Sequence, residues 1–470
     1  MNDLLVRSLH QNAVTVPARS LERLRGGFRG RLLLPQEPGY EPARRIHNGM
    51  IDRHPALILQ CQGVADVHAA VRFASEQNLE VSIRGGGHGV PGFAVSDGGL
   101  MIDLTPMKGI RVDPGTRTAC AEAGVVWGEF DRETELFGLA TTGGAARPTG
   151  IAGLTLAGGH GFLMRKHGLT CDNLLSADVV TADGRVRVAS SEENPDLFWG
   201  LRGGGGNFGV VTSFEYQLHP VDSMLGGLVI YPFHEAASVL RAYHEFTAQA
   251  PDEVGSLATL ATLPDGTRAV VLLLGYNGLM HEGERVLKPL RSLATPIADT
   301  VAPIRYTALQ SIVEQFNPPG MRNYWKTSYV NDLGAGAVDM VIERYRQVPS
   351  PQSHVVLYTL GGAVGRVPAD ATAVSYRDAR HILLWVGMWE SAEADETNRT
   401  WVRESWAAAE TFASGGFYPN YDAETSPERT AAAFGAAKFQ RLAALKAKFD
   451  PANLFRLNQN VPPAVDRSST

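Results

Sequence analysis

Residues 84–89 read Arg84-Gly85-Gly86-Gly87-His88-Gly89, directly after the strand-like run Glu80–Ile83. Two more glycine clusters follow. One lies within Thr141–Gly161, around Gly143-Gly144, Gly150, Gly153 and Gly158-Gly159. The other is Gly203-Gly204-Gly205-Gly206-Asn207-Phe208-Gly209. Glycine accounts for 50 of 470 residues, above the usual ~7%. It lets backbone approach a ligand closely and adopt positive φ. Bare runs of main-chain N–H groups suit anions. Three such loops therefore point to a large anionic ligand wrapped by backbone, and a pyrophosphate-bearing dinucleotide fits. The alternative reading is three tight turns without a ligand.

Gly204-x-Gly206-x-x-Gly209 matches the G-x-G-x-x-G pattern. The nicotinamide-dinucleotide version of that pattern follows a strand and opens a helix. This one follows a helical turn, Asn194–Leu201, and opens the strand Val210–Leu218, so a Rossmann site is rejected. Walker, zinc-protease and nucleophile-elbow motifs are missing from the sequence, and no metal site is expected. His88 stands immediately after three glycines. It reads either as a turn histidine or as an imidazole left open to the ligand, where the neutral ring can act as a nucleophile.

Lysine and arginine total 43 against 49 aspartate and glutamate, a net charge of −6, which argues against a nucleic-acid partner. Three cysteines, Cys61, Cys120 and Cys171, cannot form a disulfide framework. The first residues lack the apolar stretch of a signal peptide, and no apolar run approaches the ~18 residues of a membrane span. A cytoplasmic protein without a membrane partner is expected. Oligomeric state is not readable.

The organisation divides at about Val221. Residues 1–53 read as a lead-in packing on the body. From His54, short strands and helices alternate: strand Leu57–Cys61, helix Val64–Gln77, helix Gly124–Leu136 and a hairpin through Ala182-Asp183-Gly184-Arg185. Beyond Val221, longer apolar strands appear at Leu228–Tyr231, Ala269–Leu274, Val355–Leu360 and Ile382–Trp389, alternating with amphipathic helices. A single last helix is expected over Pro427–Lys448, with Ser426 as its N-cap. The tail carries Asn458-Gln459-Asn460.

The glycine clusters, Pro148-Thr149-Gly150-Ile151-Ala152-Gly153, Arg165–Asn173, Tyr418-Pro419-Asn420-Tyr421, Asp450–Phe455 and Asn458–Asn460 occur in one order over Tyr40–Pro463. This set resembles the berberine-bridge-enzyme-like branch of the FAD-linked oxidases. The resemblance implies an α+β fold. Its parts are a two-part FAD-binding domain of the vanillyl-alcohol-oxidase type (54–222), a substrate domain with a large antiparallel sheet (223–417), and a C-terminal segment (418–470) returning to the first.

By the same resemblance, His88 bonds covalently to the flavin 8α-methyl. A second link through cysteine is not expected, because Ala146 holds that position and Cys171 does not match it. Arg84, Gly85, Gly86, Gly87, Gly89, Thr149, Gly150, Gly153, Gly158, Gly159, Gly205, Asn207, Gly209, Val211, Asn458 and Asn460 would hold FAD. Plant members carry a glutamate base in a strand placed here at His381–Trp389, near Leu383, but no carboxylate lies between Ile382 and Trp389. Tyr418 and Tyr421 become the candidate bases. In an extended segment only one of them would reach the site, Tyr421 preferred.

The activity expected is an oxidase taking hydride from a small alcohol, sugar or amine and passing electrons to dioxygen. A flavin-dependent oxygenase or oxidative cyclase stands as one alternative, Thr149 aligning with a threonine near flavin N5 in such an enzyme. A non-catalytic flavin-binding protein is the other.

Overall fold

The computed structural model describes residues 2–465 except 315 and 425. Met1, Thr425 and residues 466–470, which fall in the expected 1–53 and 418–470 segments, lie outside the described residues.

A four-stranded sheet runs in the order Arg31–Leu33, Leu57–Gln60, Leu100–Asp103, Val81–Arg84. The last three strands are mutually parallel. A parallel sheet is covered on both faces, so its strands are apolar throughout rather than alternating. Leu57, Ile58, Leu59, Leu100, Met101 and Ile102 are accordingly all fully buried. The helix Val64–Glu76 covers one face through Val67, Ala70, Val71 and Ala74. The first strand comes from the lead-in and pairs antiparallel with Leu57–Gln60.

A five-stranded antiparallel sheet stands beside it, ordered Val186–Ser190, Leu174–Val180, Val210–Gln217, Thr118–Glu122, Ile110–Asp113. The expected hairpin is present, with Gly184 at φ 77° in its turn.

The second half forms one eight-stranded antiparallel sheet. Its main order is Ala298–Asp299, Ser223–Pro232, Arg268–Tyr276, Val254–Thr262, His354–Thr359, His381–Trp389, Arg322–Val330. The eighth strand, Ala302–Arg305, pairs with Ser223–Pro232. Helices Ala236–Gln249, Ala335–Arg346 and Asp395–Ala409 bury apolar faces in one core with this sheet. The opposite face looks toward the glycine loops.

One expected element is corrected. The terminal helix is two helices, Pro427–Phe434 and Ala436–Phe449, broken at Gly435 (φ 73°). A left-handed residue cannot continue a right-handed helix, and glycine adopts it without a Cβ penalty. The start is as expected: Ser426 Oγ accepts from the Arg429 N–H at 3.2 Å, with Pro427 in the first turn.

The second of these helices pins the tail to the third glycine cluster. Lys446 is fully buried, and its ammonium donates to the Asn207 carbonyl (2.7 Å), the Phe455 carbonyl (2.8 Å) and the Asp450 carboxylate (2.6 Å). Asp450 also accepts from the N–H groups of Leu454 and Phe455. Burial pulls the Lys446 pKa down to about 8, with Asp450 opposing that shift. Removing one member of such a pair strands the other. Lys446→Met is expected to cost ~3–5 kcal/mol of unfolding free energy, read by denaturant titration. A loss below ~1 kcal/mol would show the pair to be dispensable.

Candidate active site

Three glycine loops and the tail enclose one side of a cavity of about 860 Å³, and the eight-stranded sheet closes the other. The glycines do two different jobs. At Gly86, an added Cβ would lie 2.4 Å from the Gly150 nitrogen, and one at Gly150 would lie 2.4 Å from the Gly86 nitrogen. These two loops touch backbone to backbone, so both residues must be glycine. Gly89, Gly153 and Gly206 also line the cavity, but an added Cβ there meets no protein atom within 4 Å. At Gly205, which has φ +72°, the nearest atom is the Asn207 amide at 3.8 Å. This bare backbone faces open cavity, the cradle a ligand needs and a side chain would fill.

The tail is stitched to this cradle. The Asn207 amide donates to the carbonyls of Gly204 (2.8 Å) and Gln459 (3.1 Å), and its oxygen accepts from the Val461 N–H. The Asn458 amide donates to the carbonyls of Gly206 and Phe455, while its buried oxygen has no protein partner.

Of the expected cofactor residues, His88, Gly85, Gly86, Gly87, Gly89, Thr149, Gly150, Gly153, Gly205, Asn207, Gly209, Val211 and Asn458 line this cavity. Arg84, Gly158, Gly159 and Asn460 are not among its lining. Arg84 turns away to donate to the Ala43 carbonyl. Gly158 and Gly159 are left-handed (φ 107° and 85°), and a Cβ at Gly159 would run into Thr170 at 2.3 Å. Their glycines serve the local turn.

His88 stacks on His47, ring centroids 3.9 Å apart. His47 Nε2 in turn meets the Asn317 side-chain oxygen at 3.1 Å. Burial, with His47 adding to it, pulls the His88 pKa down to about 3, so its imidazole is neutral at physiological pH. Ala146 lines the cavity; Cys171 is fully buried outside it, its thiol pKa pushed up by desolvation.

The tyrosine segment departs from expectation. Pro419–Tyr421 is a turn of 3-10 helix rather than extended chain, so both tyrosines reach the cavity, with ring centroids 4.8 Å apart. They face different neighbours. Tyr418 packs edge-on against His160 at 4.1 Å and accepts from the Asn420 amide at 3.2 Å. Tyr421 packs against Trp325 and Tyr358 of the large sheet, and its hydroxyl pairs with that of Tyr358. Desolvation raises both phenol pKa values.

On the sheet side, alternate residues of each strand point at the cavity. In the strand without carboxylates these are Leu384, Val386 and Met388; Leu383 faces the opposite core. Leu383, near which the resemblance puts the plant glutamate, is thus not itself on the cavity wall. Trp325, His354, Val356 and Tyr358 complete much of this face, and no motif marks them in the sequence.

Residues 55–190 match the FAD binding domain family, and residues 417–462 match the berberine and berberine-like family. The chain is 32% identical over 448 residues to (R)-6-hydroxynicotine oxidase of Paenarthrobacter nicotinovorans, covering 93% of this chain and 97% of that one. The chain belongs to the berberine-bridge-like FAD-linked oxidoreductases. The crystal structure of the 6-hydroxy-D-nicotine oxidase from Arthrobacter nicotinovorans superposes with a TM-score of 0.86 at 30% identity, over 93% of this chain and 98% of that one. The carbohydrate oxidase of Microdochium nivale superposes with a TM-score of 0.84 at 25% identity, over 95% and 100%.

The cavity of this FAD-linked oxidoreductase suits its cofactor on two counts: the open glycine cradle, and the orphaned Asn458 oxygen beside it. Among the described residues, its lining includes no Asp, Glu, Lys or Arg, so backbone N–H groups are the natural partners of the cofactor's phosphates.

Gly206 separates cradle from fold, since it is open on the cavity side and free of positive φ. Gly206→Val, made in a His88→Ala background so that no covalent link can hold the flavin, should fold normally yet bind FAD at least about tenfold more weakly, read from the 450 nm absorbance per protein. Gly26→Val in the same background, on an exposed helix with open space around it, should retain full flavin. Full occupancy in Gly206→Val would show that the loop does not face the cofactor.

Proposed function

We propose that this enzyme is an oxidase that removes a hydride and a proton from a small-molecule alcohol or amine, with its FAD attached once, through His88. The observation that carries the reading is the enclosure of Tyr421 and Tyr358 between the glycine cradle and the sheet face. FAD, when bound, accepts the hydride and delivers the electrons to dioxygen. The protein's part is to orient the substrate, exclude water and take the proton.

Neutral His88, on the cavity wall after three glycines, has the nucleophilic lone pair that attachment to the flavin 8α-methyl requires. Ala146 offers no second attachment, and Cys171 is fully buried and not part of the lining. Thr149, Gly150, Gly153, Gly205, Asn207 and Asn458 would hold the cofactor from the cradle side.

Tyr421 Oη is the assigned proton acceptor. It faces the sheet side through Trp325, and Tyr358 is its hydroxyl partner. Tyr418, anchored by Asn420 and packed on His160, positions it. As the substrate O–H or N–H gives its proton to Tyr421 Oη, the adjacent C–H bond breaks as hydride.

Tyr421→Phe should slow anaerobic flavin reduction ~10²–10⁴-fold while keeping bound FAD. Tyr418→Phe should slow it less. Equal wild-type rates in both would remove the tyrosine mechanism; His381 cannot replace them, since it lies off the cavity with its Nε2 3.1 Å from His244.

The pH dependence follows from the raised Tyr421 pKa. Below it the phenol holds its proton, and the phenolate fraction grows about tenfold per pH unit on approach. The reduction rate should therefore rise from pH 7 to 9 in wild type and lose that rise in Tyr421→Phe. A flat wild-type profile would contradict the assignment.

With a turning-over substrate, one hydrogen peroxide should appear per dioxygen consumed. Labelled dioxygen should leave no label in the product. Label in the product would make the enzyme an oxygenase.

A further inference from the structure

The sheet face over the cavity is ordered in cross-strand rows. Leu228, Leu273, Leu257 and Tyr358 pair in register across four strands. Val271, Thr259, Val356 and Leu384 make the next row. His354, Val386 and Trp325 make a third. All of these side chains line the cavity, and none is charged. Two polar groups in the rows are already engaged: Tyr358 with Tyr421, and the Trp325 indole N–H with Asn323 at 3.1 Å.

His354 has a defined tautomer. Its Nδ1 lies 2.9 Å from the Gln352 carbonyl, which can only accept, so Nδ1 carries the proton. Nε2 is left as a bare acceptor on a ring that lines the cavity. Burial lowers the pKa and favours this neutral form. His354 and Tyr358 are four residues apart on one strand, and at ~3.3 Å per residue they stand about 13 Å apart along the face. Tyr421 packs on Tyr358 in the first row and on Trp325, two strands across from His354, in the third; His354 lies beside Pro351 and Gln352 of the adjoining turn.

From this geometry we infer the substrate class: an elongated, uncharged, largely apolar alcohol with a hydrogen-bond donor remote from its reacting carbon, received by His354 Nε2. The inference rests on the oxidase reading and narrows it. A protonated amine would meet no carboxylate in the lining, and an acid would meet no cation. A sugar's many hydroxyls would meet mostly Leu and Val side chains on these rows, with Thr259, His354 and the Tyr358 hydroxyl as the polar groups there. The apolar middle instead rewards a hydrocarbon or aromatic body. Remote binding of this kind sets affinity rather than the chemical step, so His354 is a specificity residue.

The test uses the flavin-loaded enzyme and four probes: 4′-hydroxybiphenyl-4-ylmethanol, biphenyl-4-ylmethanol, cellobiose and N-methylbenzylamine. Dissociation constants come from perturbation of the bound flavin spectrum, and reduction rates from anaerobic mixing. The hydroxybiphenyl alcohol should bind at least tenfold more tightly than its analogue without the phenol, and both should bind far more tightly than cellobiose or the amine. His354→Leu should erase the tenfold difference with the limiting reduction rate unchanged, and His354→Gln, which keeps an acceptor, should restore part of it. Tighter binding of cellobiose or the amine overturns the inference, as does an undiminished difference in His354→Leu. The two readings fail separately. Biphenyl alcohols that bind in the stated order while no probe reduces the flavin would sink the oxidase reading alone. Reduction by cellobiose or the amine, with the biphenyls unbound, would sink this inference alone.

Discussion

The contact between the Gly86 and Gly150 backbones organises the site. A single methyl group on either would lie 2.4 Å from a backbone nitrogen of the other loop. No rotamer change relieves a clash between main chains, so the two loops can meet only as glycine against glycine. Their meeting sets His88 and Thr149, two residues and one residue away, on the wall of one cavity. It also leaves main-chain polar groups without side-chain cover, which makes the wall an anion cradle instead of an apolar surface. The parallel strands beneath hold the first loop, since Val81–Arg84 runs straight into it.

A second constraint comes from the far end of the chain. Asn207 and Lys446 bind the tail to the third glycine cluster by hydrogen bonds to backbone carbonyls. A loop of four glycines is entropically costly to order. Buried, multiply bonded side chains hold it in place, so the cradle's shape is set before any ligand arrives. The large sheet then supplies a neutral, mostly apolar face. The result is an asymmetric chamber: polar backbone on one wall, hydrocarbon on the other, with the tyrosines at their seam.

The cofactor wall was legible in the sequence because glycine's chemistry is local. Gly85–Gly87, Gly150, Gly153 and Gly205 can be picked out without knowing what packs around them. The opposite wall was not. Leu384 and Leu383 look alike in sequence, yet only the first meets the cavity, because His381–Trp389 is buried on both faces and shows no alternation. The strand Arg322–Val330 escaped notice because Arg322, Asn323 and Lys326 suggest a loop. Lys326 is in fact buried, 3.0 Å from Glu424 and 4.1 Å above the Trp406 ring. Val254–Thr262 escaped for another reason: its Gly255, Ser256 and Ala258 carry weak strand signals, and neighbouring strands supply the order. The turn at Pro419 and the break at Gly435 are single-residue backbone choices within otherwise readable segments.

The account's central claim is that the glycine loops present His88 to the flavin as its sole point of attachment. Peptide mapping of the denatured, protease-digested holoenzyme by mass spectrometry tests it most directly. One flavopeptide is expected, containing His88 and heavier by the mass of a covalently bound FAD, and it should vanish in His88→Ala. FAD recovered entirely free after denaturation, or carried on a peptide containing Cys171, would contradict the claim.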